Sequence, residues 1–225
     1  MNQDILNTII LSTAFLALFA TAELLFHKFN VNVELTRKLV HIGTGLLSLL
    51  FPILLNNQWL VLFLCASFAC ILILSLKFNF LKSINAIDRE SVGSLAYPVS
   101  VYCCYLVFDY FNRAYIYFYL PILILAICDP VAALMGKKWP VGKFRVGKGN
   151  KTLMGSGMFF LTAFTIVILF SLLSAGETTI PKLLLEAALV ACISCTSEAL
   201  SGKGYDNLTI PASVLLSLIL IPHLF

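Results

Sequence analysis

The sequence predicts an all-α, polytopic integral membrane bundle of about eight transmembrane helices. Three observations predict it. Hydrophobic residues make up 60% of the 225-residue chain and charged residues 12%, about half the share of roughly 25% usual in globular proteins. The apolar residues come in unbroken blocks rather than alternating, which argues against a membrane β-barrel. The Lys and Arg residues fall almost entirely in every second loop. This composition excludes a soluble globular domain, and the 18 Phe with long Leu/Ile runs exclude a disordered chain. At roughly 20 residues per crossing, no stretch is left over for a separate soluble domain.

The elements follow the apolar blocks. Helix 1 is expected over 5–26. Its leading Met-Asn-Gln-Asp lacks the basic region of a signal peptide, so it reads as a retained helix. Helix 2 is expected over 38–55, behind the pair Arg37-Lys38, and helix 3 over 58–76, after the polar Asn56-Asn57-Gln58. Helix 4, over 94–109, carries Pro98 near its start and several tyrosines. Helices 5 and 6 are expected over 115–135 and 154–174, and helices 7 and 8 over 182–200 and 208–225. The whole of 1–225 reads as one transmembrane domain, with a basic cytoplasmic loop at 137–152. The seven cysteines all lie in apolar blocks, and Cys192-x-x-Cys195 reads as packing rather than a redox pair.

The positive-inside rule orients this bundle. The loops after helices 1, 3 and 5, with the segment after helix 7, hold 13 of the 15 Lys and Arg; only Arg113 and Lys182 fall on the other side. Both termini are therefore expected outside. The acids share the bias, and the rule does not account for acids. Asp88, Glu90, Asp129, Glu198 and Asp206 lie toward the cytoplasm, against Asp109, Glu177 and Glu186 outside.

Asp129 carries the sharpest signal, because it interrupts the run Leu123–Cys128 of an apolar helix. A buried carboxylate costs several kcal/mol unless it is paired or binds a cation. Pro130 behind it lacks a backbone N–H and frees a carbonyl a turn earlier. The alternative reading pairs Asp129 structurally with a neighbouring Lys. The segment Gly136–Thr152 follows, with six cations, four glycines and no acid. Such a loop suits a polyphosphate through Lys137, Lys143, Arg145, Lys148 and Lys151; it also suits anionic lipid headgroups. Gly142–Lys148 spells G-x-x-x-x-G-K, but Gly149 follows instead of Ser or Thr and no strand precedes it, so it is not a P-loop.

Thr152, Gly155 and Ser156 open helix 6, whose free N–H groups suit a phosphate; Thr152 is also a plain N-cap. Arg37 and His41 share a face at i,i+4 beside Lys38, and read either as site residues or as an interfacial anchor. Glu90 and Gly93 precede helix 4, Glu198 ends helix 7, and Asp206-Asn207 precedes helix 8. Two or three carboxylates facing a polybasic loop suit a metal–nucleotide site.

These segments, in order, resemble the dolichol kinase / phytol kinase family. They are Arg37-Lys38-Leu39-Val40-His41, Gly93–Pro98, Asp129-x-x-Ala132-x-x-x-Gly136, Lys151-Thr152-x-x-Gly155-Ser156, and Glu198 with Asp206–Pro211. The resemblance spans about residues 37–211 and departs at Met154, where the family carries Glu.

The resemblance implies a membrane enzyme that moves a phosphoryl group from CTP to a lipid alcohol such as phytol, a polyprenol or dolichol, or diacylglycerol. It implies Mg²⁺ held by Asp129 and Asp206, catalytic roles for Asp129, His41 and Glu198, and a site on the cytoplasmic face. The expected partners are the lipid alcohol and membrane lipids, with no nucleic acid. Phosphatidate cytidylyltransferases are similar around Lys151-Thr152 but add a late His-Gly-Gly block and an Asp-Arg pair. This chain has Ser201–Asn207 there, and that reading ranks second. A small transporter is the rival of another class. It would place ionisable groups at mid-membrane in two repeated halves, whereas here they cluster at one face.

Overall fold

The computed structural model describes residues 3–78, 80–85, 92–147, 149–174 and 179–221. The chain forms α1 (Gln3–Lys28), α2 (Val33–Ser48), α3 (Phe51–Leu54), α4 (Gln58–Phe78), α5 (Lys82–Asn85), α6 (Gly93–Tyr110) and α7 (Ile116–Leu123). A π-helical turn at Ile124–Cys128 joins α7 to α8 (Asp129–Lys138). A hairpin of β1 (Lys143–Val146) and β2 (Gly149–Thr152) leads to α9 (Leu153–Leu173), α10 (Ile180–Leu200) and α11 (Asp206–Leu220). The protein is an all-α polytopic membrane bundle with one small hairpin at its basic end.

Among the described residues six segments are long and apolar enough to cross a membrane: α1, α2 with α3, α4, the span Ile116–Lys138, α9 and α10. The other two expected helices form at their expected places but are less clear spans. α6 has 18 residues with Pro98 inside, and α11 has 15 residues with Pro211 inside. At 1.5 Å per residue they reach about 27 and 22 Å, against a hydrocarbon core of about 30 Å.

Two starts differ from the sequence expectation. α2 begins at Val33 rather than 38, because the Asn32 side chain caps it by accepting from Glu34 N at 2.8 Å. Arg37, Lys38 and His41 therefore lie inside α2, not at its opening. α11 begins at Asp206, which puts Asp206 and Asn207 in its first turn rather than ahead of it. In both places the apolar run starts after the true helix start. Helix 8 was expected to continue to residue 225; α11 ends at Leu220, and 222–225 lie outside the described residues.

The two ends of the bundle are stitched by polar bonds. At the end away from the hairpin, Asn7 Nδ2 donates to Leu54 O at 2.7 Å. Tyr105 Oη donates there to Leu55 O at 2.7 Å, and Arg113 reaches the Pro52 and Leu55 carbonyls. At the basic end, Ser83 N donates to Glu23 Oε1 at 2.8 Å and Thr36 Oγ1 donates to Ser83 O at 2.7 Å, tying α1, α2 and α5 together. The span Ile116–Lys138 runs through the middle, touching α2, α6, α9 and α11. Phe118, Leu120, Ile122, Ile124 and Leu125 on it are fully buried. This places Asp129 where the central helix approaches the basic end.

Candidate functional site

The site is organised by the break in the central helix. In a π turn each carbonyl accepts from the N–H five residues on. For Leu125 that residue is Pro130, which has no N–H to give. The orphaned Leu125 carbonyl instead lies 3.0 Å from His41 Nε2. A carbonyl oxygen only accepts, so Nε2 carries the imidazole proton. That nitrogen is also 3.6 Å from Asp129 Oδ2. Pro130 frees a carbonyl, as its place in the sequence implies, and in the structure His41 takes it. The fit of α2 against this turn needs Gly45, because a Cβ there would lie 2.3 Å from Ala126 Cβ and 2.6 Å from Tyr97 Oη. Tyr97 Oη in turn donates to His41 O at 3.2 Å.

Asp129 is 8% exposed, and its Oδ2 accepts from Lys38 Nζ at 2.8 Å. The pairing foreseen as the structural alternative is thus present, and it joins α2 to α8. A second pair stands beside it. Lys151, on β2, donates to both the carboxylate and the main-chain carbonyl of Glu198, which is 7% exposed. Glu198 Oε2 has no hydrogen-bond partner among the described residues. Asp206 lies within electrostatic range of Asp129, Lys151 and Lys38, which groups the three acids with two lysines. Asn207 positions this end of α11: its Nδ2 donates to Gly93 O at 2.8 Å, and its carbonyl accepts from Ser100 Oγ at 2.6 Å. Asn207 and Gly93 therefore act on the site by holding α11 against α6.

The basic segment 137–152 is not a plain loop. Lys137 and Lys138 finish α8, where cations complement the helix dipole. The hairpin pairs Phe144 with Lys151 and Arg145 with Asn150, turning at Gly147 (φ +57°). Directly opposed residues share a sheet face. Lys151 thus lies on the half-buried face with Phe144 and Val146, and Lys143 and Arg145 lie on the exposed face with Asn150. A strand period splits cations that the sequence reading had pooled. Lys148 and Glu90 lie outside the described residues.

The start of α9 corrects one expectation. Leu153 N donates to Gly142 O at 3.0 Å, Met154 N to Val141 O at 3.4 Å and Gly155 N to Thr152 Oγ1 at 3.0 Å. These amides are already satisfied, so they form no open phosphate cradle. Thr152 is the N-cap. Gly155 is a contact glycine: a Cβ there would lie 3.0 Å from Ala132 O, and Gly136 opposite it is equally constrained by Thr152 Oγ1 at 2.6 Å. Ser156 Oγ is buried without a hydrogen-bond partner among the described residues.

Mg²⁺ was expected at Asp129 and Asp206. Among the described residues no group of three His, Cys, Asp or Glu side chains converges as a metal cage. Asp129 and Asp206 lie within electrostatic range of each other, and enzymes commonly bind Mg²⁺ through one or two carboxylates, completed by substrate phosphates and water.

No family model matches the chain, and no solved structure matches it. A phytol kinase of Synechocystis sp. is 33% identical over 196 residues, covering 87% of this chain and 82% of that protein. Identity at that level and over that length shows that the chain belongs to the phytol kinase / dolichol kinase family.

Proposed function

We propose that this protein transfers the γ-phosphoryl group of CTP to the hydroxyl of a membrane-dissolved lipid alcohol, with phytol or a polyprenol as the substrate class. The observation that carries this reading is the buried Asp129, held by Lys38 and grouped with Asp206 and the Lys151–Glu198 pair under a basic hairpin. The phytol kinase relative supports the alcohol as acceptor.

In the proposed reaction the alcohol oxygen attacks the γ-phosphorus, the bond from γ-phosphorus to the β–γ bridging oxygen breaks, and CDP leaves. Asp129 accepts the hydroxyl proton. Lys38 orients that carboxylate by its 2.8 Å contact. His41 is a positioning residue, since its Nε2 proton is committed to Leu125 O. Lys151 exchanges Glu198 for a phosphate oxygen, and Lys143 and Arg145 on the hairpin supply the positive field that draws the nucleotide in. Asp129 and Asp206 are the residues that would hold Mg²⁺, which would supply neutralisation of the charge developing on the phosphates. Catalysis here is positioning and charge stabilisation, as phosphoryl transfer requires.

The same reading places the site on the cytoplasmic face, with eight crossings and both termini outside. It treats 1–225 as one transmembrane domain. Purified protein assayed with several lipid alcohols against γ-labelled CTP and ATP tests the function. Label should pass to the lipid from CTP in preference to ATP. Lipid labelled only by α-labelled CTP would mean cytidylyl transfer and would overturn the kinase reading.

A further inference from the structure

A cavity of about 210 Å³ opens between α2 and α8 at the basic end of the bundle. Its walls are Glu34, Leu35 and Lys38 from α2 and Ala133, Leu134 and Lys137 from α8. The chemistry of the walls is graded. Leu35 and Leu134 are 52% and 40% exposed and give the mouth of the cleft an apolar lining. Lys38 and Lys137 supply ammonium groups, and Lys38 Nζ is the atom that holds Asp129. An apolar threshold thus leads to the one cation shared by the cavity and the buried carboxylate.

We infer that this cleft is the lateral gate through which the lipid alcohol reaches the site, its hydroxyl at Lys38–Asp129 and its hydrocarbon tail leaving between Leu35 and Leu134 into the bilayer. The inference deepens the proposed kinase function and rests on it. The volume fits the assignment. A whole small-molecule pocket spans about 300–1,000 Å³, so this cleft holds only the hydroxyl end while the tail stays in the bilayer. The charge fits as well. The alcohol enters neutral and leaves as a phosphate monoester, which Lys38 and Lys137 stabilise as it forms. Lys151, among the charges acting on Asp129, belongs to the hairpin rather than to this cleft. Alcohol and nucleotide therefore reach Asp129 along separate routes. Ala133 is the small residue on the α8 wall, and its side chain sets the width of the passage.

The test is Ala133→Trp in the full-length protein, with steady-state kinetics for both substrates. The expected result is a lipid KM raised about tenfold or more, equivalent to 1.4 kcal/mol of lost binding, with the nucleotide KM within about twofold of the parent protein. An unchanged lipid KM in a folded, active variant overturns the gate. Photo-crosslinking of the unmodified protein with a diazirine-bearing lipid alcohol tests the site without any substitution. Adducts on peptides 33–38 and 131–138, competed by unlabelled alcohol, support the gate; competed adducts confined to other helices overturn it. Absence of lipid phosphorylation by the parent protein would instead sink the kinase reading, and competed crosslinks would report the gate separately.

Discussion

Replacing Asp129 and Lys38 one at a time and then together separates the structural from the chemical role of the pair. Asp129 is 11% exposed at its side chain and Lys38 15%, at 2.8 Å separation. Removing one partner of such a buried pair strands the other charge at a cost of about 3–5 kcal/mol. At about 2–4 °C per kcal/mol for a chain of this size, Asp129→Asn and Lys38→Met should each lower the apparent Tm in detergent by about 6–20 °C. The double variant Lys38→Met/Asp129→Asn leaves no stranded charge, so most of that loss should return. Activity should behave differently. A missing proton acceptor and metal-binding carboxylate removes several kcal/mol of transition-state stabilisation, so both Asp129 variants should lose about 10²-fold or more in kcat per folded molecule. The assay is γ-label transfer to lipid, normalised to the folded fraction by thermal melting. Activity that returns with stability in the double variant would refute the chemical role and leave the pair purely structural. A stable, active Asp129→Asn would refute both.

Lys151→Ala should raise the nucleotide KM about tenfold and Arg145→Ala about twofold or less, with the lipid KM unchanged in both, because Lys151 faces the site and Arg145 faces solvent; equal effects on the two substrates would mean that the hairpin had simply misfolded. Pro130→Ala restores the N–H that Leu125 O lacks, so the carbonyl should turn back into the helix and release His41; kcat should fall about 3–30-fold while stability holds or rises, and unchanged kcat would show that the His41 contact does not matter to turnover. Single cysteines at positions 57 and 112 should react with an impermeant thiol reagent from outside, and those at 82 and 147 only after permeabilisation, measured against the parent protein; any reversal within that set breaks the eight-crossing topology.

The membrane class was legible because it rests on averages. Long apolar blocks and one-sided basic loops survive errors of several residues at any boundary. Asp129 was legible for the opposite reason, since one carboxylate beside a proline in an apolar run has few physical explanations. What escaped was everything set by local competition for backbone donors and acceptors. The composition of segment 143–152, polar with two glycines, reads as a loop, and only the alternation Lys143-Phe144-Arg145-Val146 marks Phe144 and Val146 as one face of a hairpin. At the start of α9 the sequence supports a phosphate-binding helix start and a plain Thr152 N-cap alike, because Gly142 O and Val141 O, which occupy its amides, come from a turn whose path depends on that hairpin. Signals did exist for two misses. Asn32 two residues ahead of Glu34 marks a helix start before the apolar run of α2, and strand alternation over 143–146 would have divided the cations.

The pairing that looks most structural is also what makes the chemistry accessible. An ionised carboxylate in a helix of this hydrophobicity must be neutralised before the helix can pack. Lys38 does so from a neighbouring helix rather than from a turn away on the same one. The charge balance therefore spans the α2–α8 boundary, where the cavity opens. Pro130 acts in the same direction. It denies Leu125 an intrahelical donor, so α2 must present His41 as well as Lys38 at the same turn. Folding thus demands two polar groups from α2 at the place where the central helix is broken, and the carboxylate they stabilise is left at the α2–α8 boundary where the cleft opens.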